Sequence, residues 1–285
     1  MESKKEKKIQ HYVPKCYLRK FGIDKKSIYK FSKNDNSYEK ATIRNCCQIE
    51  DFYTINNRSK SLYIEEDILD HREENAFGLL LDKLRIFSKN YLNGKTVMFT
   101  LSDVEQEILA RCISVQYLRG PRYRHAVVQR EMKSDYAKIT NLCNRIGFDF
   151  DIEEIVFQYD EANIHGDIIA SNSIVSEHQN YIWNKNWEFL FSSDYFFTSD
   201  EPVVVIPMNN IPVLPHETLK YFHKIFFPLN SHLLLKINHS QNNANNNCIG
   251  FREILIDELE AINKLIIKNS RENYFCEIIK KNGKT

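Results

Sequence analysis

Arg119 is the residue of this sequence whose position most demands a chemical explanation. At about 100° per residue, Leu101, Val104, Ile108, Cys112 and Val115 project within roughly 80° of one another. Arg119 falls in the middle of that apolar stripe, with Gln116 at its edge. A guanidinium there needs a carboxylate, a phosphate or free carbonyl oxygens, because an unpaired buried charge is too costly to keep. Two readings stay open: Arg119 caps the C-terminus of its own helix, where a cation favours the macrodipole, or it grips a ligand. One helix earlier, Glu73 lies at the centre of the face formed by Leu69, Ala76, Leu80 and Leu84, while Glu74 lies about 100° away beside Phe77 and Leu81. One of the two acids is expected to point inward, as general acid or base, as metal ligand, or as partner to an arginine on a packed helix.

A third place is Thr198-Ser199-Asp200-Glu201-Pro202, where an aromatic stretch ends in hydroxyls and two acids just before a proline. Strand ends present side chains to a site from a rigid base, although an Asx-type turn explains Asp200 equally well. Near the N-terminus His11-Tyr12-Val13-Pro14 precedes Tyr17-Leu18-Arg19-Lys20-Phe21; a single His beside aromatics is more often packed than a ligand. The sequence holds no HExxH, no GxSxG, no GxGxxG and no GxxxxGK[ST]. With only 8 Gly in 285 residues, a glycine-rich phosphate loop is not expected.

The elements that must position these residues follow from periodicity. Ser27 to Ser32 alternates apolar and polar residues and is followed by the turn KNDNS, which predicts a strand and hairpin. Asp51 to Ile55 reads as a short strand before a turn at Asn56-Asn57. Helices are expected over about 63–89, from Ser102 to Arg119, over about 123–145 and over 174–184, with Ser102 and Glu105 forming a capping box. Residues 149–169 are acidic and ambiguous. In the last third, Trp187 to Phe191 and Tyr195 to Thr198 flank Ser192-Ser193-Asp194 and predict an aromatic hairpin. Strands follow over 203–206, 224–227 and 232–237, the run 242–247 (NNANNN) is a loop, and a helix over 253–269 and a strand near 274–279 close the chain. The fold class expected is α+β: a mainly helical first two thirds after a short strand-and-hairpin opening, packed on an antiparallel sheet from the last third. The whole chain, 1–285, reads as one domain, with a mobile start over 1–9, a mainly helical part over 10–185 and a sheet-rich part over 186–285.

Composition bounds the partners. Lys and Arg total 39 against 38 Asp and Glu, so the formal charge is only +1, and any polyanion must be held by a local patch. No apolar run approaches the roughly 18 residues of a spanning helix, and the basic first residues carry no export signal, so no membrane partner and a cytoplasmic location are expected. Seven cysteines without CxxC spacing predict reduced thiols rather than a disulfide framework.

The blocks QHYVPKCYLRKF, EENAFGLLLDKL, Gln116-x-x-Arg119-Gly-Pro, W-x-x-x-F with FFTSDEPV, and FFPLNSHLLL occur in that order over about residues 10 to 237. Together they resemble the bacterial family of unknown function DUF4238. The resemblance implies that His11, Arg19, Glu74, Gln116, Arg119, Ser199 and Asp200 are the polar positions that matter, and it favours Glu74 over Glu73. The family more often has Thr at 120 and Asn at 201, so no role is expected for those two side chains. It supplies no settled activity. The function expected from these residue types is an enzyme acting on a phosphodiester or nucleotide, a nuclease-like effector in antiphage defence or a toxin. In it His11, Glu74 and Asp200 do acid–base work or hold a divalent cation such as Mg2+, while Arg19, Gln116, Arg119 and Ser199 bind substrate. Arg122, Arg124, Arg130 and Lys133 would extend a nucleic-acid-facing strip, although a solvated helix face is the commoner origin of such a run. The alternative is a non-catalytic module that binds a small ligand or a protein, its inward polar residues forming a structural network. A homodimer is compatible with either.

Overall fold

The computed structural model describes residues 9–57, 60–64, 69, 73–95, 100–147, 160–183, 185–208, 217–239 and 249–278. The expected mobile start over 1–9, apart from Ile9, the ambiguous segment up to 159 and the asparagine run 242–247 lie outside them. The chain opens with β1 (Ile9–His11), a single turn α1 (Lys15–Leu18) that tightens into a 3₁₀ turn (Arg19–Phe21), the hairpin β2 (Ser27–Ser32) and β3 (Tyr38–Thr42), β4 (Gln48–Glu50), and the pair β5 (Thr54–Asn57) and β6 (Lys60–Tyr63). Among the described residues five α-helices follow: α2 (Asn75–Leu92), α3 (Asp103–Leu118), α4 (Pro121–Ile146), α5 (Glu161–Ala170) and α6 (Asn172–Trp183). The last part holds β7 (Asn186–Phe191), β8 (Thr198–Ser199), β9 (Val204–Pro207), β10 (Phe222–Asn230), β11 (Leu233–Asn238), β12 (Ile249–Glu253), α7 (Ile256–Asn269) and β13 (Asn273–Cys276). The fold is α+β, with helices in the middle and sheets toward both ends, as expected.

The principal sheet has the order β12-β7-β11-β10-β9, antiparallel except where β12 runs parallel to β7. Both faces are covered. Trp187, Phe189, Phe227 and Leu235 enter the main core with α2 and α3, whereas Leu190, Phe226 and Leu234 join Leu259, Ile262 and Ile266 of α7 in a second cluster. Double burial explains why these strands read as continuous apolar runs such as HLLLKI rather than as alternation. A second sheet, β3-β2-β13-β8, joins the two ends of the chain.

Several expectations are corrected in detail. Residues 195–197 do not return as the second arm of a hairpin, for β7 pairs with β11 and β12. Their backbone is satisfied otherwise: Phe196 N–H donates to Ser231 O, and the buried Asn263 side chain accepts from Phe197 N–H and donates to Tyr195 O. Ahead of α2, Tyr63 ends a strand and Glu73 and Glu74 lie on a π-helical turn, so the α-helical wheel does not apply to them. Val104 is 64% exposed and leaves the expected stripe, while Cys112, Val115 and Arg119 remain buried. Asn56 and Asn57 sit in β5, not in a turn. The capping box holds: Ser102 Oγ accepts from Glu105 N–H, and the Glu105 carboxylate accepts from Ser102 N–H. Gly147 ends α4 in the left-handed region (φ 68°), where a side chain would be strained.

Candidate functional site

Arg119 follows the last residue of α3 and is 1% exposed. Its Nη1 donates to Glu74 Oε1 at 2.9 Å, its Nη2 to the His11 carbonyl, and its Nε to Tyr53 Oη at 3.4 Å, while Tyr53 Oη donates to the Arg119 carbonyl at 3.1 Å. Burial works against the charge, but Tyr53 and Glu74 more than offset it and hold the guanidinium above its ordinary value. Glu73 is also engaged, taking Arg111 Nε on both oxygens at 2.8 and 3.1 Å. Each acid of the 73–74 pair therefore meets an arginine of α3 or its C-cap. Gln116 Nε2 donates to the Tyr12 carbonyl at 3.0 Å, and His11 Nε2–H donates to the Arg44 carbonyl at 2.9 Å. His11, Glu74, Gln116 and Arg119 thus converge, and what they grip is mainly the backbone of β1 and the residue after it.

Asp200 lies nearby, since its charge and that of Glu201 reach the Tyr12 phenol, which burial already raises. The Asp200 carboxylate is 1% exposed and accepts three backbone N–H groups, from Arg271, Glu272 and Asn273, each at 2.8 Å. Burial pushes the carboxyl up and those amides pull it back. Ser199 Oγ accepts the N–H of Glu201 at 3.2 Å. Asp200 is thus neither a local Asx turn nor an outward ligand; it fastens the segment after α7 to the end of β8. His11, Glu74 and Asp200 are spent on a carbonyl, an arginine and three amides. Among the described residues no group of three or more His, Cys, Asp or Glu is arranged to hold a metal ion, so the expected trio does not form a ligand set.

Arg19 is the exception among the expected residues. It is exposed and lines a cavity of about 760 Å3, on whose wall lies Cys16. Cys16 marks the boundary with the buried network, its Sγ lying 3.9 Å from the Glu74 carbonyl. Five cations line the cavity, Arg19, Lys20, Lys25, Lys26 and Arg85, against two carboxylates, Asp24 and Asp82. Lys20 pairs with Asp82, and Asp24 accepts the N–H groups of Lys26 and Ser27 at 2.7 Å each. The side chains of Arg19, Lys25, Lys26 and Arg85 make no hydrogen bond or ion pair among the described residues. The sequence carries a sign of this in Arg19-Lys20 and Lys25-Lys26, which flank a short loop; Arg85 comes from α2 and could not be added without the fold.

Glu201 is the residue that sequence reasoning missed. It lines a second pocket, of about 120 Å3, at the start of α4, together with Tyr117, Arg122, Tyr123, Val203, Val205 and Asn269. Burial pushes its carboxyl up to about 7. Oε1 accepts Arg122 N–H at 3.0 Å, and a Cβ at position 120 would stand 2.7 Å from Oε2. The two positions thought to carry no role, 120 and 201, are thus in contact. The strip expected from Arg122, Arg124 and Arg130 is mostly occupied: Arg122 holds Asn269, Arg124 holds Glu161 and the Phe52 carbonyl, and Arg130 holds Glu131.

A family model described as Protein of unknown function (DUF4238) matches residues 9–281, and the chain belongs to that family. No curated protein and no solved structure matches it. No helix among the described residues is long and apolar enough to cross a membrane.

Proposed function

We propose, for this member of the DUF4238 family, that the protein binds a phosphorylated small molecule of nucleotide size in the cavity beside Arg19. The observation that carries this reading is the cavity's surplus of three positive charges, with four cationic side chains that have no partner among the described residues. In a chain whose formal charge is +1, so local a surplus is costly in self-repulsion unless an anion relieves it. The volume falls within the roughly 300–1,000 Å3 range of small-molecule sites. Arg19 and Arg85 supply planar forks suited to phosphate oxygens, and the lysines add point charge. The network around Arg119 then holds the fold, which fits the non-catalytic alternative.

Calorimetric titration with a nucleoside triphosphate and with pyrophosphate, at about 150 mM salt, tests this. Binding that weakens at least about tenfold in R19A/R85A and falls as salt rises is expected. If neither compound binds, or if the double variant binds as well as the parent, the reading fails. One observation favours a second reading, phosphodiester cleavage by a nuclease-like effector of antiphage defence or a toxin: the carboxyl of Glu201, with a proton affinity suited to acid–base work at neutral pH. With His11, Glu74 and Asp200 engaged elsewhere, such chemistry would have to draw on Glu201.

A further inference from the structure

We infer that the recess between α4 and α6 binds a quaternary ammonium group, such as the head group of a choline-like compound, in a corner made by three aromatic rings and two carboxylates. The recess holds about 280 Å3 and shares no residue with the Arg19 cavity. It lies just below the roughly 300–1,000 Å3 of sites for drug-sized ligands, so it takes a head group. One face of α6 supplies most of it, because Ile174, Glu177, His178 and Tyr181 are spaced i, i+3, i+4 and i+7. Tyr123 enters from α4, and Glu217 from the turn ahead of β10.

The rings stand as walls and not as a stack. Tyr123 meets His178 at 86° with centroids 6.3 Å apart, and His178 meets Tyr181 at 66° and 5.6 Å. A guest sits in the corner against these rings and need not part them, which is how aromatic cages hold a cation. Burial lowers the proton affinity of His178, and its Nδ1–H donates to the Ile174 carbonyl at 2.9 Å, so the ring is uncharged at neutral pH and repels no cation. Tyr123 is 8% exposed, yet its hydroxyl neither makes a hydrogen bond nor is sealed from solvent among the described residues. The charges that reach this hydroxyl are those of Arg130 and Glu177, both on the recess wall, so it is directed into the recess.

Charge completes the selection. Glu177 accepts the Tyr181 hydroxyl, a neutral partner, and the Glu217 carboxylate makes no hydrogen bond or ion pair among the described residues. Arg130 is held by Glu131, and the Lys220 ammonium lies 5.2 Å from the centroid of the Tyr221 ring, itself a cation seated on a tyrosine. Three carboxylates therefore stand against two cations, and one monovalent cation restores neutrality. Ile168 and Ile174 make the remaining wall apolar, which suits methyl groups and gives nothing to a metal ion that needs a shell of oxygens.

Calorimetric titration of the full chain with choline chloride tests this, with 3,3-dimethylbutan-1-ol as the uncharged analogue of the same shape. Choline is expected to bind with a dissociation constant of about 1 mM or below, and the alcohol at least about tenfold more weakly. E217Q and Y181L, both at half-exposed positions, should each weaken choline about fivefold or more while melting near the parent temperature. If Y181L does not fold, E217Q alone decides. Absence of choline binding up to about 10 mM, equal binding of the alcohol, or parental affinity in the folded variants overturns the proposal. R19A/R85A should bind choline as the parent does, so failure of the phosphate reading and failure of this one are separately visible.

Discussion

Arg119 and Arg19 come from blocks of the sequence that look equally suited to gripping a phosphate, yet they end in opposite surroundings. Arg119 is sealed, its guanidinium divided among a carboxylate, a carbonyl and a phenol. Arg19 stands at the edge of an open cavity, where no side chain answers its charge among the described residues. An arginine within an apolar stripe is a charge that folding must neutralise, so the fold supplies the partner itself. An arginine outside any stripe is solvated in the absence of ligand and keeps its donors available. Inward position marks structural demand, and it is the outward position that leaves capacity for a ligand.

The largest effect that would sharpen this contrast is on the sealed side. R119A leaves Glu74 and the His11 carbonyl without their donor and should cost about 3–5 kcal/mol in chemical denaturation. A loss below about 1 kcal/mol would break the comparison. Next is Glu201, which lies between the two extremes. Its carboxyl ordinarily titrates at 4.5 and is pushed up to about 7 by burial, so its favourable contribution is complete below about 4.5 and disappears as pH rises through 7. E201Q should therefore raise stability by up to about 3 kcal/mol at pH 8, have little effect at pH 4, and flatten the slope between. Thermal melts across that range read it directly. D200N replaces one acceptor oxygen by a donor facing backbone N–H groups and should cost about 1–3 kcal/mol. On the open side R19A/R85A should shift stability by no more than about 0.5 kcal/mol while weakening phosphate binding. Equal destabilisation by the open-side and sealed-side variants would mean that the distinction does not exist.

Much of the architecture was legible in the residues. The capping box at Ser102 and the hairpin opened by residues 27–32 depend on local preferences, and each stands where expected. That Arg119 needed a buried partner was also legible, as was the pairing of an acid at 73 or 74 with an arginine of a packed helix; the structure adds that both acids are so paired, Glu74 with Arg119 and Glu73 with Arg111. Glu73 and Glu74 could not be told apart because a π-helical turn breaks the 100° step on which the wheel relies. The aromatic stretch 195–197 looked like a strand by composition, but Asn263, a polar residue on the buried face of α7, satisfies its backbone from outside. Glu201 was illegible for a related reason. Its proton affinity comes from what surrounds it, including the start of α4 some eighty residues earlier in the chain.

The sheet β3-β2-β13-β8 also sets an order of events in time. The hairpin β2–β3 is complete early in synthesis, yet the neighbour of β2 is β13, whose residues are made more than two hundred positions later. Until Asn273 to Cys276 are available, Tyr29 and Phe31 face an unfilled edge, and Asp200 has no amides to hold. A ribosome-bound chain lacking those residues should thus expose a sticky strand edge and call on chaperones, and refolding of the whole protein should be slow for its size.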